Sequence, residues 1–215
     1  MSDDPGRYLL VGAHLPEHSS YEGIVFFELE EVAISGVGYD PDFGTADRGV
    51  IERVARLRQT MTAAETFIAF RYGTTAAGLS EVREKCGSRT AGWRRLLESS
   101  RGLVEYTLKA APETKVERPL RADVRDGLEY MQRLQASRAT QIDQAFRRAV
   151  DERIGSIALK SRWSRRADGG HELAALAPRD AHDRIAAAGE RLKSDFPNVA
   201  FLLSGPWPLE VFVDE

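Results

Sequence analysis

Residues 171–208, HELAALAPRDAHDRIAAAGERLKSDFPNVAFLLSGPWP, carry the pattern that decides the fold. HELAALA (171–177) is predicted as a strand. The residues after it predict a helix with Asp180 in its first turn and Lys193 near its end. VAFLLSG (199–205) then predicts another strand, bounded by turn residues. The stretch is therefore a predicted strand–helix–strand unit.

The residues before this stretch supply the rest of a four-stranded sheet. LVEYTLKA (103–110) alternates as a strand. A long amphipathic helix is predicted over roughly residues 122–153, because apolar residues recur there at steps of three and four. GSIALKSRW (155–163) is predicted to form a hairpin with residues 171–177. The resulting order, strand, helix, strand, strand, helix, strand, is the ferredoxin-like βαββαβ order, which places both helices on one face of an antiparallel sheet.

The first half of the chain predicts an α+β domain of its own. Its apolar patterns alternate between short strand-like runs and helical spacing, and the pattern changes near Arg101. We therefore predict an N-terminal α+β domain over residues 1–101 and a ferredoxin-like C-terminal domain over residues 102–215. The predicted strands are RYLLVGA (7–13), two runs on either side of a turn near Glu30, and TFIAFRYG (66–73); the predicted helices are GVIERVARLRQTM (49–61), LSEVREKC (79–86) and RTAGWRRLLESS (89–100).

Composition and charge exclude several classes of protein. The chain has 30 Lys and Arg against 33 Asp and Glu, a net charge of −3, which argues against general attraction to nucleic acid or anionic lipid. Cys86 is the one cysteine, so no disulfide can form within the chain, as is usual in a reducing cytoplasm. No apolar run approaches the roughly 20 residues that span a bilayer. We expect a cytoplasmic protein with no membrane span and no nucleic-acid partner.

The motifs that suggest catalysis or metal binding lack the local structure or the ligands that such chemistry requires. HLPEH (14–18) matches the H-x-x-E-H motif of a class of zinc peptidases. That motif requires both histidines on one face of a helix, and Pro16 would disrupt the helical turn between them. We interpret the segment as a polar surface loop. DPDFGTADRGVIE (40–52) begins like a calcium loop, yet glycine and threonine stand at positions that need a ligand and a glycine. The sequence predicts no metal, no cofactor and no catalytic residue, so we do not expect an enzyme.

Three aromatic or basic positions remain as candidates for interaction. Arg71, followed by Tyr72, closes a predicted core strand, and it either pairs with a carboxylate between domains or belongs to a partner surface; the structural role is favoured. Trp163 lies within the basic stretch LKSRWSRRADGG (159–170), which suggests binding to an acidic partner or nucleic acid. A hairpin end with solvated charges is the favoured alternative.

The Gly-Pro-Trp-Pro segment after the last strand is the third candidate. Gly205 is expected to let the chain turn sharply, and the two flanking prolines fix the backbone so that Trp207 points to a predetermined side. A buried Trp207, covering apolar surface at the junction of the two halves, is favoured over an exposed binding anchor. LEVFV (209–213) would then run back across the N-terminal domain as a strap that fixes the interdomain angle. Its candidate contacts are Leu209, Val211 and Phe212.

Four stretches in chain order also carry a resemblance to a known family. AFRYGT (69–74) is similar to that family's strand ending in arginine, an aromatic, glycine and threonine, with Tyr72 where phenylalanine is usual. GLVEYTLKA (102–110) resembles its short strand with a glutamate and a late lysine, and YMQRLQASRA (130–139) resembles the start of its long helix. LAALAPRD (173–180) followed by FLLSGPWP (201–208) resembles its closing strand–helix–strand. The family is that of the gas vesicle proteins GvpF and GvpL.

The resemblance implies a function that the residues alone do not. It implies a cytoplasmic, gas-vesicle-associated, non-enzymatic accessory or minor structural protein of gas vesicle formation. Its implied partners are the small hydrophobic shell protein and other accessory gas vesicle proteins. An alternative from another class is a ligand-binding regulatory module on the ferredoxin-like sheet, which depends on fold analogy alone.

Overall fold

The computed structural model describes residues 7–40, 47–111, 126–130 and 144–212. The chain forms two compact units, the first made of residues 1–105 and 206–215 and the second of residues 106–205. The predicted domain division at residues 1–101 and 102–215 stays a prediction. Both units combine helices with an antiparallel sheet, so the predicted α+β class is confirmed.

The first unit is built on a five-stranded sheet. The strands run in the order β2-β3-β1-β4, and β5 also pairs with β1. The backbone N–H of Leu29 donates to the carbonyl of Val32, which closes the predicted turn between β2 and β3. The strands are β1 (Tyr8–His14), β2 (Val25–Glu28), β3 (Ala33–Gly38), β4 (Ile68–Ala69) and β5 (Thr75–Ala76).

Three helices complete the first unit at the predicted places. They are α1 (Arg48–Ala64), α2 (Leu79–Cys86) and α3 (Thr90–Ser99), with a short 3-10 turn between the last two. The side chain of Asp47 accepts a hydrogen bond from Val50 N at 3.1 Å, which satisfies one of the free N–H groups at the start of α1. The helix packs its apolar stripe on β1, and the shared core comprises Leu9, Val11, Val37, Tyr39, Val54, Met61 and Phe67.

The second unit contains a four-stranded sheet in the order β7-β8-β6-β9. β7 and β8 form the predicted hairpin, in which Trp163 is opposite Leu173. The boundary between the units falls inside β6 and inside β9, so each of these strands begins or ends in the first unit. The strands are β6 (Leu103–Ala110), β7 (Lys160–Arg165), β8 (His171–Pro178) and β9 (Phe201–Trp207).

Helices α4 (Gln144–Val150) and α5 (His182–Asp195) pack on this sheet. A π turn, Asp151–Gly155, continues α4. Residues 122–125 and 131–143 of the predicted long helix lie outside the described residues, so the ferredoxin-like arrangement stays a prediction. The core of the second unit comprises Leu108, Ala110, Phe146, Ala149, Val150, Ile154, Leu173, Ala175, Ala188 and Leu192. Within the described ranges, no helix has both the length and the apolar character that crossing a membrane requires.

Candidate functional site

The residues after β9 form part of the first unit. Leu209 N donates to Phe67 O at 2.9 Å and Leu209 O accepts from Ala69 N at 3.0 Å, so the tail pairs with the backbone around β4 as a parallel bridge. Leu209 is 0% and Phe212 2% exposed. The tail thus contributes two apolar side chains and a short backbone pairing to this unit.

A buried carboxylate holds this tail by its backbone. Oε1 of Glu105 accepts hydrogen bonds from the N–H groups of Glu210, Val211 and Phe212 at 3.0, 3.1 and 3.2 Å. Burial raises the pKa of the Glu105 carboxyl above its usual value, and the three N–H donors oppose that shift. In the sequence Glu105 is the acidic residue of an alternating strand, next to Val104 and Tyr106, and that was the available signal for a buried polar role.

Trp207 is more exposed than the sequence predicted. Its side chain is 42% exposed, so the interpretation as a buried cover is wrong. The expected sharp turn at Gly205 is also wrong, because β9 continues through Gly205, at φ 131°, and Pro206 to Trp207. The tail instead buries Leu209 and Phe212, which follow the end of β9.

Arg71 and Tyr72 lie in a turn, where the sequence predicted a strand. β4 contains only Ile68–Ala69, and Thr74 N donates to Arg71 O at 3.2 Å in the turn that follows. The Arg71 side chain is exposed and has no ion-pair partner among the described residues. The expectation that Arg71 closes a core strand is therefore wrong. The chain leaves the sheet early because residues after Ala69 bend toward Thr74.

This turn forms one wall of a cleft in the first unit. The cleft has a volume of 610 Å³ and is open to solvent. Lys85 Nζ is already paired with Glu81, at 2.5 Å. Cys86 is 4% exposed, and burial raises the pKa of its thiol, so it is a poor nucleophile. The lining side chains include Arg58, Phe70, Arg71, Tyr72, Lys85, Cys86, Arg89, Trp93 and Glu210.

Arg58 is the most deeply placed cation of the cleft. Its guanidinium donates to Phe70 O through Nη2, while Nε is buried without a hydrogen-bond acceptor among the described residues. Burial lowers the pKa of Arg58 below its usual value, and the negative charge of Glu210 opposes this effect. The site therefore holds a partly desolvated cation, and among the described residues that line it one, Glu210, carries a carboxylate.

The remaining two candidates have different surroundings. Phe212 lines a second cleft of the first unit together with Trp93 and Arg89. Trp163 belongs to the second unit, where its Nε1 donates to Asp151 at 2.8 Å and the Arg147 guanidinium lies 5.4 Å from its ring centroid. The structure thus brings Arg71, Tyr72 and Phe212 together in one unit, whereas Trp163 is in the other.

A buried polar cluster around His14 was missed by sequence analysis. His14 is the last residue of β1 and is 0% exposed, so its interpretation as part of a polar loop is wrong. Its Nε2 lies 2.8 Å from Ser35 Oγ, its Nδ1 lies 3.5 Å from Glu65 Oε1, and Tyr21 OH donates to Glu65 at 2.7 Å. No spacing in the sequence links these residues, because strand pairing and α1 bring them together.

The serine, histidine and carboxylate of this cluster are not arranged for catalysis. Ser35 and His14 are both 0% exposed, so no substrate can reach the hydroxyl. The Ser35 hydroxyl also donates to Gly12 O at 3.2 Å, whereas a nucleophilic serine must donate to its histidine base. The cluster is therefore a structural hydrogen-bond network. In the described part of the chain, no group of three His, Cys, Asp or Glu side chains could hold a metal ion.

Comparison with known proteins places this fold in a family. The chain matches the family described as gas vesicle synthesis protein GvpL/GvpF over residues 42–214, and it therefore belongs to that family. The crystal structure of gas vesicle protein GvpF from Microcystis aeruginosa is 15% identical, with a TM-score of 0.75, over 97% of this chain and 98% of that one. GvpF from Anabaena sp. PCC7120 is 14% identical, with a TM-score of 0.67, over 98% of this chain and 96% of that one. No curated protein matches.

Proposed function

We propose that this chain is a non-enzymatic accessory or minor structural protein of gas vesicle formation. It acts by binding other gas vesicle proteins, including the hydrophobic shell protein, in the cytoplasm and at the gas vesicle. The family match over residues 42–214 is the observation that carries the proposal. The shell protein exposes apolar surface before it assembles, so a protein that binds it can prevent aggregation or nucleate the wall.

The burial of the polar cluster supports a non-enzymatic role. Ser35, His14 and Glu65 have the side-chain types of a catalytic triad, but they are interior groups that contact one another between two strands and the end of α1. The sheet order β7-β8-β6-β9 supports the ferredoxin-like arrangement that we propose for the second unit. Such a unit presents side chains to a partner without any need for catalytic groups.

We propose that the exposed candidates make the partner contacts. Arg71, Tyr72 and Trp207 all have side chains open to solvent, and exposed arginine and aromatic residues are enriched at binding hot spots. Phe212 and Trp163 support their surroundings from within their units. Phe212 is buried, and Trp163 is held by Asp151.

A pull-down tests this function directly. The purified chain is immobilised and incubated with the hydrophobic shell protein of a gas vesicle gene cluster, and retention is compared with that on an unrelated α+β protein. We expect specific retention, weakened by Trp207→Ala. Absence of retention for the shell protein and for every accessory gas vesicle protein tested would refute the proposed function.

A further inference from the structure

The cleft beside the turn at residues 70–74 combines a cationic rim with an aromatic wall. Of the described residues that line it, Arg58, Arg71, Lys85 and Arg89 are basic and Glu210 is acidic. Low-dielectric walls lined by one sign of charge concentrate ligands of the opposite sign. The cleft therefore favours an anionic ligand.

Within the described part of the chain, Arg58 and Arg71 form no ion pair of their own. Lys85 is engaged by Glu81. Arg71 has an exposed side chain with no ion-pair partner among the described residues. Arg58 retains a buried Nε without an acceptor. A buried donor without a partner costs free energy unless a ligand or water satisfies it, so an incoming carboxylate would relieve Arg58 as well as pair with Arg71.

The aromatic wall adds a preference for apolar groups beside the acidic ones. The rings of Phe70 and Trp93 lie 5.2 Å apart between centroids, and the Arg89 guanidinium lies 5.2 Å from the Trp93 centroid. Both rings line the cleft. A ligand that carries carboxylates and aliphatic side chains in alternation would use both kinds of surface.

The chain itself places a carboxylate beside the cleft. Leu209 pairs with the backbone of Phe67 and Ala69, and the N–H groups of residues 210–212 donate to the Glu105 carboxylate. Within this segment, Glu210 lines the cleft and its charge stabilises the charged form of Arg58. One carboxylate, that of Glu210, is therefore already accommodated beside the cations of the cleft.

We propose that the cleft is a docking site for a segment of a protein partner in which acidic and aliphatic residues, such as Glu and Leu, alternate. The open shape favours a macromolecular segment over a small molecule, because small-molecule sites enclose most of their ligand. A nucleotide is disfavoured because the glycines of this chain lack the strand–glycine–helix spacing of phosphate loops. The inference depends on the proposed function in one respect, namely that the ligands of this chain are proteins.

Peptide binding to the full chain tests the proposal. A fluorescein-labelled peptide of repeated Glu-Leu is titrated with the protein and its anisotropy is followed, with a repeated Gln-Leu peptide as the uncharged control. We expect saturable binding of the Glu-Leu peptide that weakens as salt is raised, and little binding of the control.

Arg71→Glu should weaken binding of the Glu-Leu peptide about tenfold or more, since it replaces an attraction by a repulsion. Arg101→Glu changes another exposed arginine of the first unit, outside the cleft, and should have no comparable effect.

Several results would overturn the proposal. They are no binding of the Glu-Leu peptide, equal binding of the uncharged peptide, equal weakening by Arg71→Glu and Arg101→Glu, or displacement of the peptide by ATP in the manner expected of a nucleotide site. The pull-down with the shell protein separates this inference from the proposed function. If the shell protein is still retained but the peptide does not bind, the docking site in the cleft is refuted and the proposed function stands. If the peptide binds but no gas vesicle protein does, the proposed function is refuted and the docking site stands.

Discussion

At the scale of single residues, Glu105 joins the two sequence segments of the first unit. Its carboxylate, 2% exposed, accepts the N–H groups of three consecutive tail residues. Charged acceptors make stronger hydrogen bonds than neutral ones. Here the Glu105 carboxylate accepts from the N–H groups of residues 210–212, which follow the last residue paired with β4. The cost of burying the charge is thus offset by several bonds to it.

Replacing Glu105 by glutamine should destabilise the protein markedly. The amide keeps the size of the side chain but offers one carbonyl oxygen to three donors, and its NH₂ group faces N–H groups. We expect the free energy of unfolding to fall by about 2–3 kcal/mol, measured by urea denaturation. Glu84→Gln, at an exposed position of α2, is the matched control and should change it by less than about 0.5 kcal/mol. Equal effects of the two substitutions would contradict the role given to Glu105.

His14 should make the stability of the protein depend on pH. Burial lowers the pKa of His14 below its usual 6.5, although contact with Glu65 opposes that shift. The unfolded chain then binds a proton more readily than the native one, so the native state loses stability as pH falls below about 6.5. Burial by itself raises the pKa of Glu65, but the nearby His14 and the hydrogen bond from Tyr21 lower it by more, so that the pKa of Glu65 is below its usual value. Its contribution is lost only at more acidic pH.

Thermal melting as a function of pH tests the role of His14. Between about pH 6.5 and 5, the free energy of unfolding of the unsubstituted protein should fall as pH falls. In His14→Gln we expect this dependence on pH to be weaker, by at most about 1.4 kcal/mol per pH unit. The same substitution at His171, which is half-buried in the second unit, controls for the loss of one histidine. An unchanged slope in His14→Gln would show that His14 does not titrate as its burial requires.

Prediction from sequence succeeded least for these single residues. The buried cluster of His14, Ser35 and Glu65 joins two strands and the end of α1, and no local pattern encodes which polar residues will meet. HLPEH was interpreted as a loop because of Pro16, yet its first residue ends a buried strand. Pairing between distant segments, rather than local propensity, decided the environment of His14.

At the scale of elements, apolar periodicity was a reliable guide wherever an element had one buried face. Helices α1, α2 and α3 and strand β8 lie where their patterns predicted them, whereas β7 begins at Lys160, five residues after the start of its predicted strand. The strand predicted over residues 66–73 is the exception, since β4 is only two residues long. Its alternating apolar residues are used in another way, because Phe70 lines the cleft beside Trp93. Alternation alone cannot distinguish a strand from a turn that carries a half-buried aromatic side chain.

The tail offers a matched pair of aromatic substitutions. Phe212 is 2% exposed and Trp207 42% exposed, although they lie only five positions apart. Phe212→Ala should cost about 3–5 kcal/mol, as for a buried aromatic, whereas Trp207→Ala should cost only about 1–2 kcal/mol. Chemical denaturation of the two variants measures the difference. A larger loss for Trp207→Ala would show that its indole, and not the Phe212 ring, anchors the tail.

At the scale of the whole molecule, the chain leaves the first unit once and returns to it once. It leaves between Glu105 and Tyr106 within β6, and it returns between Gly205 and Pro206 within β9. The first unit therefore lacks part of its core until the last described residues are in place. The strap predicted over residues 209–213 anticipated this return, from the prolines and the apolar residues of the tail rather than from periodicity. The division of β6 and β9 between the two units has no signal in the sequence, because a strand pattern does not show which core each half of the strand joins.

Hydrogen exchange of the full chain tests whether the tail belongs to the first unit energetically as well as spatially. Each unit has a core of its own, so loss of Phe212 should allow local opening of the unit that the ring packs into. In Phe212→Ala we expect amides of β1 and α3 to exchange faster, with β8 and α5 still protected, as followed by mass spectrometry of peptic fragments. Leu173→Ala, which removes a side chain that is 1% exposed from the core of the second unit, should give the opposite pattern. If either variant speeds exchange equally in β1 and β8, the chain opens as one cooperative body, and the tail stabilises the whole molecule rather than the first unit alone.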